Sequence, residues 1–132
     1  MTSRQAQHYA EQSIIYALNS GKAFSEKEYH KAGEFLWGSM AQALKAHAYE
    51  KEGSRLYGHR NIREYATELS AKWVLMKKMA KPVFYDFFLK AETLHINFYE
   101  TDQSLAIIEA IILEAKPVIN EVLKDAGFYP RV

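Results

Sequence analysis

The chain has 132 residues, 48% hydrophobic and 25% charged, with no cysteine and a formal net charge of +1. That length suits one domain able to bury its own core, and the missing thiols exclude disulfides, thiolate zinc sites and a cysteine nucleophile. The near-neutral balance excludes a strongly electrostatic nucleic-acid binder, yet residues 51–81 carry eight basic and three acidic side chains while 82–132 carry four and eight, so one patch can still attract an anion.

Every long segment shows the three- and four-residue apolar spacing of a helix and none alternates like a strand, which predicts five helices. The first spans about residues 3–19, opened by Thr2 with Gln5 at capping-box spacing and closed by Asn19-Ser20-Gly21. Ser25 and Glu28 repeat the capping-box spacing, flanked by Phe24 and Tyr29 as a hydrophobic staple, and start a second helix over about 26–51. Its stripe is Ala32, Phe35, Leu36, Met40, Ala43, Leu44 and His47, and Gly53 ends it. Gly33 and Gly38 weaken that helix by up to about 1 kcal/mol each relative to alanine, so their use is to let another helix come close.

A third helix carries Ile62, Tyr65, Ala66, Leu69, Trp73 and Met76 and stops at Pro82. Proline is tolerated in a first helical turn, so a fourth helix starts there with an aromatic side of Phe84, Phe87, Phe88, Ala91, Leu94, His95 and Phe98. The fifth follows Thr101 and Asp102 with Ile108, Ile111, Ile112, Ala115, Ile119, Val122 and Leu123, and Pro117 should kink or split it near Ala115. Gly127 stops it. No fixed-period repeat is present, so the expectation is a compact all-α bundle in a single domain, 1–132, with 126–132 as a tail. Residues 1–5 do not read as a signal peptide and the most apolar run, 105–113, contains Glu109 and is far shorter than the roughly 20 residues of a membrane helix, so a cytoplasmic protein with no membrane partner is expected.

Neither a GxGxxG nor a GxxxxGK[ST] loop occurs, which removes support for ordinary nucleotide-binding folds. Glu92 and His95 form one Glu-x-x-His, but a ferritin-like di-iron site needs two, and His8, His30, His47 and His59 have no glutamate three residues earlier. No metal and no cofactor are expected. His47 and His95 both fall on apolar stripes, where an imidazole serves either as a hydrogen-bonded core residue or as an acid or base in a cleft. Neither has an evident serine–aspartate partner. Arg55, His59, Arg60 and Arg63, with Tyr57 among them, bracket the start of the third helix, where free N–H groups favour anions and the tyrosine can stack on an RNA base. The plain alternative is a loop of capping and solubilising charges.

The block Lys31-Ala-Gly-Glu-Phe-Leu-Trp-Gly-Ser-Met-Ala-Gln-Ala-Leu-Lys45, followed by Gly58-His-Arg-Asn-Ile-Arg63 and Leu94-His-Ile-Asn-Phe-Tyr-Glu100, resembles the PaREP1-type helical proteins of archaea. Those look like members of the broader HEPN-like group, small helical bundles that commonly dimerise and belong to RNA-targeting or nucleotidyltransferase-partner systems. Active HEPN ribonucleases place an arginine four to six residues before a histidine on a late helix. The resemblance puts His95 at the histidine and leaves only Lys90 for the arginine, followed by Ala91 where a polar residue is usual. Lysine keeps the charge but lacks the planar fork that grips phosphate at two points.

What the resemblance implies is a HEPN-like homodimeric binding or accessory module, non-catalytic, associated with RNA or a nucleotidyltransferase-type partner. The competing expectation is a metal-independent ribonuclease with His95 as acid or base, Lys90 steadying the phosphate and Asn97 assisting; a third is a purely structural dimerisation protein. The apolar faces of the fourth and fifth helices are the candidate dimer interface.

Overall fold

The computed structural model describes residues 3–75 and 105–128, the latter with side chains from Glu109 onward. Among these residues the chain is entirely helical: α1 (Arg4–Ser25), α2 (Tyr29–Glu52), α3 (Gly58–Leu75) and α4 (Leu105–Asp125). Four helices are therefore seen where five were expected. The one expected to open at Pro82, with its aromatic side, lies outside the described residues, as do Thr2, Met76, the Thr101–Asp102 start and 129–132. No described helix is long and apolar enough to cross a membrane.

The first helix departs from its expected bounds at both ends. Ser3 is the N-cap: its Oγ accepts from the Ala6 N–H at 3.1 Å, and its own N–H donates to Glu50 Oε2 at 3.0 Å, tying the start of α1 to the end of α2. At the other end α1 does not stop at Asn19-Ser20-Gly21 but continues to Ser25. Ser20 is fully buried and its hydroxyl donates to the Ala32 carbonyl of α2 at 2.7 Å, while Ala23 packs in the core, so tertiary contacts override the turn-like composition.

Ser25 finishes α1 rather than capping α2, since its hydroxyl donates to Lys22 O at 2.7 Å. The reversal is made at Lys27, which adopts a left-handed φ of 64°, and α2 begins at Tyr29 after Glu28, whose side chain makes no capping bond. The staple contact itself exists: the rings of Phe24 and Tyr29 meet edge-on at 5.4 Å.

α1 and α2 form a close antiparallel hairpin because the buried stripe of α1 is made of small residues. Ala6, Ala10, Ser13, Ala17, Ser20 and Ala23 recur at three- and four-residue steps and are all buried. At its centre Ser13 and Ser39 each donate a hydroxyl to the other's backbone carbonyl, at 2.8 and 2.7 Å. These reciprocal bonds satisfy polar atoms that the tight approach would otherwise strand. Gly38 serves the close contact expected of it: a β-carbon there would stand 3.1 Å from the Tyr16 ring.

α2 is the central helix, packing against α1, α3 and α4. Its Leu36, Met40 and Leu44 join Ile119, Val122 and Leu123 of α4, and α3 adds the expected stripe of Ile62, Tyr65, Ala66, Leu69 and Trp73. Gly53 ends α2 in a left-handed conformation, φ 66°, as expected. Pro117 does not split α4. It lies on the exposed side of an otherwise unbroken helix, where the carbonyl deprived of its N–H partner can turn to water.

Beyond Asp125 the chain turns through Gly127, φ 96°, and the Phe128 N–H donates to Leu123 O at 2.9 Å. Ala126 is buried and Phe128 packs against the core, so the first part of the expected tail belongs to the bundle.

Candidate functional site

His47 faces the end of α4 and the side of α3 from the buried stripe of α2. Its Nδ1 lies 2.6 Å from the Tyr65 hydroxyl and its Nε2 lies 2.6 Å from Asp125 Oδ2. An ionised carboxylate can only accept, so Nε2 carries the hydrogen and donates to Asp125, while Nδ1 accepts from the Tyr65 phenol. Burial pushes the imidazole below its ordinary value of 6.5; the Asp125 carboxylate pulls the other way, and Lys51 adds to the depression. Burial likewise drives the Tyr65 phenol well above its ordinary range, helped by the charges of Glu52, Asp125 and Glu68. Both shifts favour the uncharged forms of the phenol and the imidazole.

Local structure explains this placement. The Gly127 turn fixes the last residues of α4, so Asp125 ends that helix with a side chain 21% exposed against 4% for His47. Trp73 meets the imidazole edge-on at 6.5 Å. Above these groups opens a cleft of about 320 Å³, its mouth edged by Lys51, Glu52, Glu68 and Lys72. A concave site with perturbed titratable groups is the general signature of a functional position, and a buried polar network can also be purely structural.

The basic stretch lies elsewhere, where the loop enters α3. Gly58 takes a left-handed φ of 75°, and the Tyr57 N–H donates to Asn61 Oδ1 at 2.9 Å, which fixes the entry. Tyr57 is 73% exposed. The Arg55 guanidinium lies 5.4 Å from the Tyr49 ring centre, and Arg60 pairs with Glu64 at 3.1 Å, with the Arg60 side chain 91% exposed. Arg63 is exposed on the next turn. His59 rests on Trp37, ring centres 4.4 Å apart, and does not line the His47 cleft. Arg55 is thus turned onto α2, where it lines a hollow with Glu52, Asn61, Glu64 and Glu68, while His59 lies against Trp37.

The proposed catalytic trio of His95, Lys90 and Asn97 lies outside the described residues. Among the described residues no group of histidines and carboxylates is arranged to hold a metal ion. The sequence reading missed Asp125 as the partner of His47, because 78 residues separate them and only the fold brings them together. The available signal was an aspartate immediately before an Ala-Gly helix stop.

No curated protein and no solved structure matches the chain. The family model described as the archaeal PaREP1/PaREP8 family matches residues 9–119, from the first turns of α1 into α4 and short of Asp125, and with most of its length so covered the chain belongs to that family.

Proposed function

We propose that this PaREP1/PaREP8 protein is a HEPN-like, homodimeric and non-catalytic binding module, and that its partner is single-stranded RNA met at the start of α3. The observation that carries the reading is Tyr57, 73% exposed three residues before Arg60, whose side chain is 91% exposed. A large aromatic ring held out to water among cations is the arrangement on which an unpaired base stacks while arginines track the phosphates. The surface pair of Arg60 with Glu64 contributes little and leaves the guanidinium available. RNA is favoured over a nucleotidyltransferase-type protein partner because residues 55–63 carry three arginines and a histidine and no acidic side chain.

His47 supports the non-catalytic part. Both ring nitrogens are engaged inside the fold, so the described imidazole best placed for proton transfer has none to offer a substrate. The ribonuclease alternative, using His95 and Lys90, finds no favouring observation among the described residues. Ile15 and Leu18 on α1, Leu75 at the end of α3 and Leu113 on α4 are exposed apolar side chains, and Leu113 lies on a helix whose apolar face suits a homodimer contact.

The test is fluorescence anisotropy of a labelled mixed-sequence single-stranded RNA. Wild-type protein should bind at low salt and weaken as salt rises, with a log–log slope of roughly −0.7 per phosphate contacted. Arg60→Ala with Arg63→Ala should flatten that slope, and Tyr57→Ala should weaken binding by about five- to tenfold, the loss of one stacked base. No binding by wild-type protein at low salt overturns the reading.

A further inference from the structure

A second concavity lies on the side of α2 away from His47. It is a groove of about 370 Å³ between α1, α2 and the first turns of α3, walled by Tyr16, Phe35 and Trp37, with Gly38 and Ala41 in its lining. The Tyr16 and Phe35 rings stand 6.0 Å apart. The Tyr16 ring covers Gly38, so the groove lies over the tyrosine rather than over the glycine itself. Its lining also includes the polar side chains of Gln42, Lys45 and Glu34, the last paired with His30 at 3.0 Å.

We propose that this groove is a nucleobase slot, taking one unpaired RNA base against its aromatic wall; the inference rests on the RNA-binding reading above and extends it to a second contact point. Continuity is the first argument. Trp37 in the wall touches His59, and Ile62 lines the groove, so the slot opens directly onto the surface that carries Tyr57, Arg60 and Arg63. Chemistry is the second. A base needs flat apolar faces and a donor–acceptor group at its edge; the aromatic walls supply the first and the Gln42 amide the second, since it both donates and accepts. Charge is the third: Lys45 lines the groove with its ammonium 6.0 Å from the Tyr9 ring centre, a cation able to meet the phosphate of an inserted nucleotide. Size is the fourth, because the volume is at the low end of small-ligand sites and suits one nucleotide rather than a peptide helix.

Trp37 sits in the wall, so it can report on occupancy. The chain has two tryptophans, and Trp73→Phe leaves Trp37 as the sole indole. That variant, checked for its helical circular dichroism, is titrated with a single-stranded RNA 10-mer while anisotropy follows the labelled strand in parallel. The expected result is saturable quenching of Trp37 emission with the same midpoint as the anisotropy. Gln42→Ala, in the groove lining and safe for folding, and Phe35→Ala should each weaken binding by about five- to tenfold. Binding seen by anisotropy with unchanged Trp37 emission, and with Gln42→Ala within about twofold of wild type, overturns the slot and leaves the α3 reading standing. Absence of any RNA binding removes both.

Discussion

Replacing Tyr65 by phenylalanine removes one hydroxyl and keeps the ring that packs in the core. The Tyr65 hydroxyl is the donor for His47 Nδ1 at 2.6 Å, and the imidazole is only 4% exposed, so the variant strands a buried acceptor. Leaving such a group unsatisfied costs about 1–3 kcal/mol, and the cleft beside it lets water recover part of that, which places the loss near 1–2 kcal/mol. Urea unfolding followed by circular dichroism at pH 8 reads this directly. With a denaturant slope of about 1–3 kcal/mol per molar, the midpoint should fall by roughly 1 M at an unchanged slope. Because His47 and Tyr65 act through one bond, His47→Leu combined with Tyr65→Phe should lose less than the two single losses added, by about 1 kcal/mol. A midpoint for Tyr65→Phe within about 0.2 M of wild type, or strict additivity in the double variant, would refute the network as a stabilising link.

The same histidine predicts a pH dependence. Its folded value is depressed below 6.5, so the unfolded chain binds a proton that the native state refuses; the contribution is fully present above about pH 6.5 and is lost as pH falls toward the folded value. The wild-type curve of stability against pH should therefore be steeper than that of His47→Gln just below pH 6.5, by at most about 1.4 kcal/mol per unit, and parallel curves would contradict the burial argument. Gly21→Ala should raise stability by about 0.5–1 kcal/mol in thermal unfolding, because it sits inside α1 with nothing within 4 Å of a new β-carbon. Gly38→Leu should lower it by about 1–3 kcal/mol, since the Tyr16 ring occupies the space the side chain needs. Ser39→Ala should cost about 1–3 kcal/mol by removing one of the reciprocal bonds across the α1–α2 seam, again read by urea midpoint.

Much of the fold was legible where burial follows helical spacing. The run Ile62, Tyr65, Ala66, Leu69 and Trp73 packs as its periodicity predicts, Gly53 ends α2, and Gly38 admits Tyr16. The errors arose where a partner helix decides a local choice. Asn19-Ser20-Gly21 has the composition of a stop, but the hydroxyl of Ser20 finds its acceptor on α2 and the helix continues. Ser25 and Glu28 have capping-box spacing, yet the Lys27 reversal leaves the serine to bond backward to Lys22. The alternating Ala and Ser positions of α1 were a readable signature of close helix contact that apolar stripes alone do not capture.

The candidate site divides in the same way. Arg55, Tyr57, His59, Arg60 and Arg63 are close in sequence, but the fold turns Arg55 onto Tyr49 and His59 onto Trp37, which local spacing does not announce. The His47–Asp125 link joins the middle of α2 to the last turn of α4, and no local pattern announces it. His47 did fall on the apolar stripe, which correctly placed its imidazole in the interior.

The central claim is binding without cleavage, and one experiment addresses it. A labelled single-stranded RNA pool is incubated with purified protein in EDTA at low salt, with His95→Ala alongside and circular dichroism showing both folded; anisotropy reports binding and a denaturing gel reports strand length. The account predicts RNA bound and intact with both proteins. Cleavage by wild type that His95→Ala abolishes, or no binding at all, would contradict it.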